Sequence, residues 1–451
     1  MPFTPQELAA EHARAMRIVR AVLNACDARR ATADAARRHG MNSADGRWVL
    51  SIGKAAIGMA EGLAESCGTP DRHLIVTVDG PPAGRLTNIL RSDHPLPTQR
   101  SLDAGQAVKG FIEEAKAAAA TSLTALISGG ASSLICEPIP GIELDEYRAL
   151  VQAMLTAGWD IQRMNTIRRA IDGLKGGGLA ALAAPLPIDV LVISDVIGNT
   201  LHDIGSGPFV WSPTSPDDAC DLLTKGPPLA CERSVFNAVS CHSYPRGLEP
   251  PRRAVVVLDN ADAVGAAAGA LAAEGFDNVS RRVEVIQSVE ELSWSACAAA
   301  GLLQPAESLA WGGEWPLEDA PEGSVGGRCQ ALAIRLLGLP NDAFVLTLAT
   351  DGTDGVADPA RPAPAGAFVT RQMTFPVVRP DAYPGDNLLR WALAEDSDDP
   401  DYAYYRWYRS NSYRMFAHRD ANLPPHEPPA HIFTGPTGTN VNDLLIAWRV
   451  K

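Results

Sequence analysis

The chain has 451 residues, and its 39 Lys and Arg against 53 Asp and Glu give a formal net charge of −14. This length is enough for two or three domains, and a hydrophobic content of 46% is that of a globular protein rather than a disordered one. The acidic balance argues against a nucleic-acid-binding protein, but it permits a small anionic substrate in a locally basic pocket.

The cysteines and the hydropathy pattern favour a cytoplasmic protein. The eight cysteines include no Cys-x-x-Cys pair, so neither a zinc ribbon nor a dithiol redox site is expected. The first 26 residues lack the apolar block of a signal peptide, and the sequence has no run of 18 apolar residues. We therefore expect no membrane partner.

Short apolar runs, each followed by a glycine-rich turn, predict strands along the chain. They cover residues 48–52, 73–78, 123–127, 190–193, 254–258, 344–348 and 431–433. Stretches with helical spacing lie between many of them, at 54–65, 99–119 and 144–156. Strands that alternate with helices predict an α/β fold with a parallel sheet covered by helices on both faces.

Changes in composition suggest how the chain divides. Pro and Cys crowd residues 225–253, and a second glycine-rich cluster begins at Trp311. We therefore expect an N-terminal domain over residues 1–240 and a C-terminal domain over residues 241–451. Residues 371–430 combine an acidic run with many aromatic residues, which favours a folded surface excursion or a homodimer contact over a lid.

Clusters of glycine and polar residues follow five of the predicted strands. They lie at 51–54, 128–133, 194–195, 350–355 and 434–440. Because the carboxyl ends of parallel strands meet at one edge of a sheet, we expect these clusters to form one rim. Glycine-rich loops present backbone N–H groups to anions, so the rim suits phosphates or carboxylates.

Charged residues of the rim suggest the chemistry. Asp195, Asp351, Asp354 and Glu314 are oxygen donors of the kind that Mg²⁺ prefers. An aspartate at a strand end could instead take a proton from an acceptor hydroxyl. Arg168, Arg169 and Lys175 precede a glycine turn and could clamp an anion. Phosphate loops, Mg²⁺ and a lysine together are the equipment of phosphoryl transfer.

The sequence matches two common nucleotide-binding motifs poorly. Lys54 is followed by Ala55 rather than Ser or Thr, so the first cluster is not a Walker A loop. Residues 176–181 match the letters of a dinucleotide fingerprint, but the preceding stretch does not resemble a strand.

His94, in a proline-flanked loop, could be a structural histidine or could point into the site.

Taken in order, the motifs resemble those of the type II glycerate kinases, whose C-terminal half is the MOFRL domain. The most specific match is Thr-Gly-Pro-Thr-Gly-Thr-Asn-Val-Asn-Asp at 434–443. Shorter matches are 53–56, 94–97, 128–130, 175–177, 194–196, 206–208, 312–314, 326–328 and 350–352. Departures from the family pattern are Ala170, Asp172 and Gly178 for His, Ser and Arg, and Asn199 for Asp.

The resemblance implies a Rossmann-like N-terminal domain, with a parallel sheet flanked by helices, and an α/β C-terminal domain of the MOFRL type, with the active site in a cleft between them. It implies phosphoryl transfer from ATP, with Mg²⁺, to the 2-hydroxyl of D-glycerate or a related small hydroxy acid. Lys54 and Arg328 match the family's essential lysine and arginine. The alternatives are an NAD(P)H-dependent hydroxypyruvate reductase and a non-catalytic sugar-acid or nucleotide-binding protein.

These arguments assign three groups of site residues. The expected catalytic residues are Lys54, Arg328, Asp195 and Asp351. The expected substrate and phosphate contacts are Ser128, Gly129, Gly130, Ser132, Ser133, Asn165, Arg168, Lys175, Thr437, Gly438 and Asn440. The expected metal ligands are Asp195, Asp351 and Glu314.

Overall fold

The computed structural model describes residues 3–41, 46–80, 86–211, 214–225, 233–242, 249–276, 278–317, 325–355, 362–376, 382–384, 412–423 and 426–450. Structural statements below refer to these residues. Much of the aromatic segment at 371–430 lies outside them, and with it the expectation of a surface excursion, homodimer contact or lid.

The helices of the described chain are α1 Pro5–Ala25, α2 Ala28–Arg38, α3 Ala56–Cys67, α4 Gln99–Ala117, α5 Ala131–Leu134, α6 Leu144–Thr156, α7 Ile161–Ala170, α8 Gly178–Ala183, α9 Pro216–Lys225, α10 Arg233–Cys241, α11 Asn260–Ala273, α12 Val289–Leu302, α13 Arg328–Arg335 and α14 Ser412–Ala421. Two short 3₁₀ turns lie at Ile204–Ser206 and Leu336–Gly338. No helix among them is long and apolar enough to cross a bilayer.

The strands of the described chain are β1 Arg47–Ile52, β2 Arg72–Thr77, β3 Ile89–Arg91, β4 Ser122–Ile127, β5 Ile188–Ile193, β6 Arg253–Leu258, β7 Asn278–Ile286, β8 Glu307–Glu314, β9 Ala343–Ala349, β10 Gly366–Val369, β11 Thr374–Pro376, β12 Ala382–Pro384, β13 His431–Ile432 and β14 Asp443–Arg449. β11 and β12 form a separate antiparallel pair.

One compact unit comprises Asp27–Asp259 together with Gly438–Asn440. Its sheet has the order β3-β2-β1-β4-β5-β6, and every neighbouring pair is parallel. β1, β4 and β5 are buried along their whole length, which explains their uninterrupted apolar sequences. The strand order reverses between β1 and β4, so the crevice that binds ligands in such sheets lies beyond the carboxyl ends of these two strands.

The other unit comprises Met1–Cys26, Asn260–Thr437 and Val441–Lys451. Its sheet has the order β13-β10-β9-β14-β8-β7, in which only β7 and β8 run parallel to each other. α1 packs on α11, and the indole of Trp448 in β14 donates to Glu11 Oε2 of α1 at 2.7 Å. The N-terminal helix is thus built into the unit that contains the end of the chain.

The structure confirms the α/β class and the parallel sheet of the N-terminal part. The second sheet is mixed, because β14 inserts between β8 and β9 and runs antiparallel to both. The division between the units also differs from the expected boundary at residue 240. It falls after Asp259, because β6 completes the first sheet by pairing with β5, and α1 belongs to the C-terminal unit.

Candidate active site

In the N-terminal unit, the loops after β1 and β4 are bound to each other at the point where the strand order reverses. Lys54 N–H donates to the carbonyl of Gly129 at 2.9 Å, and Ala55 N–H donates to Ser128 Oγ at 3.1 Å. Gly53 has a φ of +135°, and a Cβ there would stand 2.1 Å from Ser128 Oγ. Lys54 is therefore fixed at the crevice by its own backbone.

Three polar side chains surround the two glycines after β4. A Cβ at Gly129 would stand 2.1 Å from Asp195 Oδ2, and one at Gly130 would stand 3.1 Å from His94 Cδ2 and 3.4 Å from Lys54 Cγ. The side chains of Lys54, His94 and Asp195 thus meet at this glycine pair. A larger residue at either position would displace these side chains. The glycines are therefore needed so that the side chains can approach the loop closely, as well as for their backbone N–H groups.

The loop at 438–440, whose neighbouring residues belong to the C-terminal unit, also reaches this crevice. Asn440 Nδ2 donates to Asp195 Oδ2 at 3.1 Å, and Gly438 has a φ of +71°. This contact brings a predicted residue of the 434–440 cluster to the carboxyl edge of the first sheet.

The crevice is rich in positive charge. Desolvation lowers the pKa of His94 to about 4, and the charges of Lys54 and Arg168 act in the same direction, so the imidazole is neutral at pH 7 although the residue is exposed. Burial also lowers the pKa of Arg168, and no carboxylate among the described residues pairs with its guanidinium. A charged group without a counter-ion in such a place favours an anionic ligand.

Lys175 lies elsewhere, in a closed network. Its buried ammonium pairs with Asp172 and donates to Tyr147 Oη at 3.0 Å and to the carbonyl of Ile135 at 3.3 Å. These partners use all three donors of the ammonium, so the structure gives the predicted phosphate contact at Lys175 no support. Asp172, one of the departures from the family pattern, supplies the counter-charge.

Asn165, Ser132 and Ser133 support the glycine loop from inside the protein. Ser132 Oγ lies 2.8 Å from Ser206 Oγ, which donates to Asn165 Oδ1 at 2.9 Å. Ser133 Oγ lies 3.3 Å from the carbonyl of Gly130, to which it donates. Because their polar atoms already have partners, these residues hold the loop in place rather than offering a free contact.

In the C-terminal unit, Arg328 lies at the edge of the mixed sheet. It is the first residue of α13, and its Nη1 donates to Glu314 Oε1 at 3.0 Å while its Nε pairs with Asp443. Glu314 ends β8 and Asp443 begins β14, where Asp443 is paired with Gly313 and Ala349. The strand register therefore brings both carboxylates to the guanidinium.

Two buried carboxylates lie near Arg328, and neither has the role that the sequence suggested: Asp354 was expected among the oxygen donors for Mg²⁺, and Asp443 was noted only as part of the motif at 434–443. Asp354 accepts from Cys329 N–H at 2.9 Å and from Gln330 N–H at 2.7 Å, so it caps the first turn of α13. Burial raises the pKa of Asp443 to about 7, although Arg328 opposes this shift. The sequence gave no sign that Asp354 and Asp443 lie near Arg328, because these contacts depend on how distant strands pair.

Asp351 and Thr437 lie in two loops that pack on each other within the C-terminal unit. Thr437 N–H donates to the carbonyl of Asp351 at 3.2 Å, and Thr437 Oγ1 donates to the carbonyl of Thr350 at 2.6 Å. A Cβ at Gly352 would stand 2.0 Å from the carbonyl oxygen of Gly435. The hydroxyl of Thr437 is therefore used in joining the loops, whereas the partly exposed carboxylate of Asp351 lies at the end of β9.

The three predicted metal ligands do not form one cluster. Asp195 belongs to the N-terminal unit and Asp351 and Glu314 to the C-terminal unit, and no group of three or more His, Cys, Asp or Glu among the described residues is placed to hold a metal. Mg²⁺ in phosphoryl-transfer sites is commonly held by one or two carboxylates together with the substrate's phosphates. Glu314 already pairs with Arg328.

The glycine run at 176–178 is not a dinucleotide-binding turn. Gly176 and Gly177 have φ values of +58° and +93°, and they follow α7 and a turn rather than a strand. A Cβ at Gly178 would stand 2.0 Å from the carbonyl oxygen of Gly173, so close packing accounts for this glycine. The context that a nicotinamide cofactor would need is missing here.

Comparisons with known proteins identify relatives of the chain. Residues 14–239 match the family described as a domain of unknown function, DUF4147. The D-glycerate 2-kinase of Thermotoga maritima is 29% identical over 421 residues, covering 88% of this chain and 89% of that protein. A putative hydroxypyruvate reductase of Agrobacterium vitis is 31% identical over 417 residues, covering 88% of this chain and 97% of that protein.

The solved structures give the same fold. The crystal structure of a glycerate kinase from Thermotoga maritima superposes with a TM-score of 0.74 at 24% identity, covering 98% of this chain and 100% of that chain. A protein of Pyrococcus horikoshii gives a TM-score of 0.68 at 23% identity, covering 100% of both chains. With its family match and its full-length relatives, the chain belongs to the glycerate 2-kinase family.

Proposed function

We propose that the protein is a kinase that transfers a phosphoryl group from ATP to the 2-hydroxyl of D-glycerate or of a related small hydroxy acid. The observation that carries the proposal is the crevice beyond β1 and β4, where Lys54 and Arg168 surround a neutral His94. This place suits a small anion with hydroxyl groups. The relatives named glycerate kinase supply the reaction: phosphoryl transfer to an alcohol acceptor.

The acceptor acid binds through its carboxylate. Arg168 has no acidic partner among the described residues, and its guanidinium can hold a carboxylate through two parallel hydrogen bonds. His94, being neutral, is suited to hydrogen-bond a hydroxyl rather than to add charge. Together they orient the 2-hydroxyl of the acid.

Asp195 is the base that we assign to the reaction. Its carboxylate lies against Gly129 and close to the loop that carries Lys54, and Asn440 holds it at Oδ2. As the 2-hydroxyl oxygen bonds to the γ-phosphorus and ADP leaves, the hydroxyl proton passes to Asp195. Lys54 stabilises the negative charge on the transferred group.

The phosphates of ATP require neutralising charge and backbone donors. The glycines of the 128–130 loop offer N–H groups, and in the C-terminal unit Arg328 is the cation that we assign to the phosphates. Magnesium would neutralise the phosphates further when bound with the nucleotide, and Asp351 is a carboxylate that would hold it.

A coupled assay of ADP release tests the proposal. The purified protein, with ATP and Mg²⁺, is given D-glycerate, L-glycerate, threonate, erythronate or tartronate in parallel. We expect turnover of about 1–100 s⁻¹ with one of these acids, and phosphorus NMR of the product then identifies the phosphorylated hydroxyl. ATP binding without ADP release on any acid would contradict the kinase assignment and favour a binding protein. Oxidation of NADH by hydroxypyruvate would favour the reductase.

A further inference from the structure

Arg328 is bound by two carboxylates of different character. Asp443 is buried, with 3% of its side chain exposed, and strand pairing on both sides holds it at the start of β14. Glu314 stands at the end of β8, with 49% of its side chain exposed. One partner is fixed in the protein, and the other is largely in solvent.

The two carboxylates contact different nitrogens of the guanidinium. A guanidinium binds a phosphate best through two parallel N–H groups, either the Nε and Nη2 pair or the Nη1 and Nη2 pair. Nε forms an ion pair with Asp443, and Nη1 donates to Glu314 Oε1 at 3.0 Å. A phosphate that approaches the Nη1 and Nη2 groups therefore competes with Glu314 for the guanidinium.

Burial decides which carboxylate leaves. Removing one partner of a buried ion pair is costly, because the other charge is left without water or a counter-charge, whereas an exposed pair is weak. Asp443 is also surrounded by the negative charges of Asp354, Asp351 and Glu314, with Arg328 as its opposing charge. The buried carboxylate of Asp443 thus needs Arg328 as its counter-charge, whereas Glu314 can replace its bond to Arg328 with bonds to water.

The charge of the group favours the same exchange. The carboxylate of Glu314 beside Arg328 repels an incoming phosphate. When Glu314 turns to solvent, that negative charge moves away from the guanidinium, and the Nη1 and Nη2 groups become free.

We propose that Glu314 is a displaceable partner that occupies Arg328 until a phosphate of the nucleotide takes its place, and that Asp443 is the permanent positioning residue of Arg328. The inference rests on the proposed kinase function. It gives Glu314 a role other than that of the metal ligand expected from the sequence.

Glu314→Gln tests the inference, and Glu290→Gln is the matched control. Glu290 pairs with Arg335 at the other end of α13 at 2.8 Å, and its side chain is 44% exposed, close to the 49% of Glu314. Removing the competitor at Glu314 should lower the KM for ATP and raise kcat/KM about two- to fivefold, as for other exposed ion pairs. Glu290→Gln should leave both constants unchanged.

Calorimetric titration of ATP–Mg²⁺ into each variant gives a readout that does not depend on turnover. The Kd of Glu314→Gln should fall by the same factor, and the Mg²⁺ concentration for half-maximal binding should not change. Equal constants for Glu314→Gln and wild type would overturn the inference. A higher Mg²⁺ requirement in Glu314→Gln would also overturn it and make Glu314 a metal ligand. If wild type phosphorylates no hydroxy acid, the proposed function fails, but the titration still decides whether Glu314 competes with phosphate.

Discussion

The carboxylate of Asp195 lies against the α-carbon of Gly129, so closely that a Cβ at position 129 would stand 2.1 Å from Oδ2. No side chain can be accommodated at that distance unless Asp195 moves. The glycine after β4 therefore sets the position of the proposed base.

Gly129→Ala should reduce kcat/KM about 10- to 100-fold, because a displacement of about 1 Å is enough to lose an aligned proton transfer. Steady-state kinetics with the acid identified in the ADP-release assay measures the effect. Gly110→Ala in α4 is the control, since a Cβ at Gly110 meets nothing within 4 Å. That variant should retain full activity and gain about 0.5–1 kcal/mol of stability. Normal turnover in Gly129→Ala would remove Asp195 from the mechanism.

Lys54→Ala should abolish turnover and leave the fold intact, because the backbone of residue 54, rather than its side chain, bonds to Gly129. We expect a fall in kcat of about 10³-fold or more, typical when a group that stabilises transferred charge is lost. Circular dichroism and the Tm should match wild type. Lys225→Ala is the control, since Lys225 is exposed and pairs with Asp221 in the same helix, α9. Activity near the wild-type level in Lys54→Ala would contradict the proposed function.

Arg168 and Arg169 are adjacent but should respond in opposite ways to substitution. Arg168→Met should raise the KM for the hydroxy acid at least tenfold with little change in stability, because no acidic partner among the described residues is left behind. Arg169→Met should destabilise the protein by about 3 kcal/mol, because Arg169 is buried with Asp203 at 2.9 Å and its loss takes the guanidinium away from that buried carboxylate. Urea unfolding and acceptor kinetics on both variants make the comparison. Equal loss of stability in the two variants would show that Arg168 has a structural role.

Asp443 should make the stability of the protein fall as the pH rises. Its folded pKa of about 7 lies above its unfolded pKa, so the folded state binds the proton more tightly. The stabilisation that the proton provides is complete below about pH 4 and is lost as the pH rises through 7. Asp443→Asn has no such proton, so wild type should lose stability relative to this variant between pH 4 and pH 8. Urea unfolding of both proteins across this range tests it, and parallel pH profiles would contradict it.

Apolar pattern alone predicted much of the N-terminal unit. The run at 48–52 became β1, and the stretch at 144–156 became α6, because buried parallel strands and amphipathic helices leave clear periods in a sequence. β7 left no such signal, since most of its side chains are exposed and polar. The end of β8 was interpreted as a glycine-rich cluster rather than as part of a strand. Gly313 is required there because a Cβ would have no room beside Val285.

Part of the candidate site could also be predicted from the sequence. Glycines after strands pointed to the loop at 128–130, but Arg168 and Lys175 were given the same expected role. The spacing of Asp172 and Lys175, three residues apart, was the available sign that Lys175 is paired internally. The pairing of Arg328 with Asp443 could not be anticipated, because it depends on β14 lying beside β8 in the sheet.

The position of α1 has a consequence for synthesis of the chain. α1 emerges from the ribosome before the helix it packs on, α11, and the strand that bonds to Glu11, β14, because the whole of Asp27–Asp259 lies between them. Its apolar face, which includes Ile18 and Val22, is without these native partners during that interval. The N-terminal unit can form its sheet meanwhile, but the C-terminal unit is completed only when β14 has emerged. If the chain is cut between the units, α1 should therefore stay folded only in a fragment that also contains the C-terminal half.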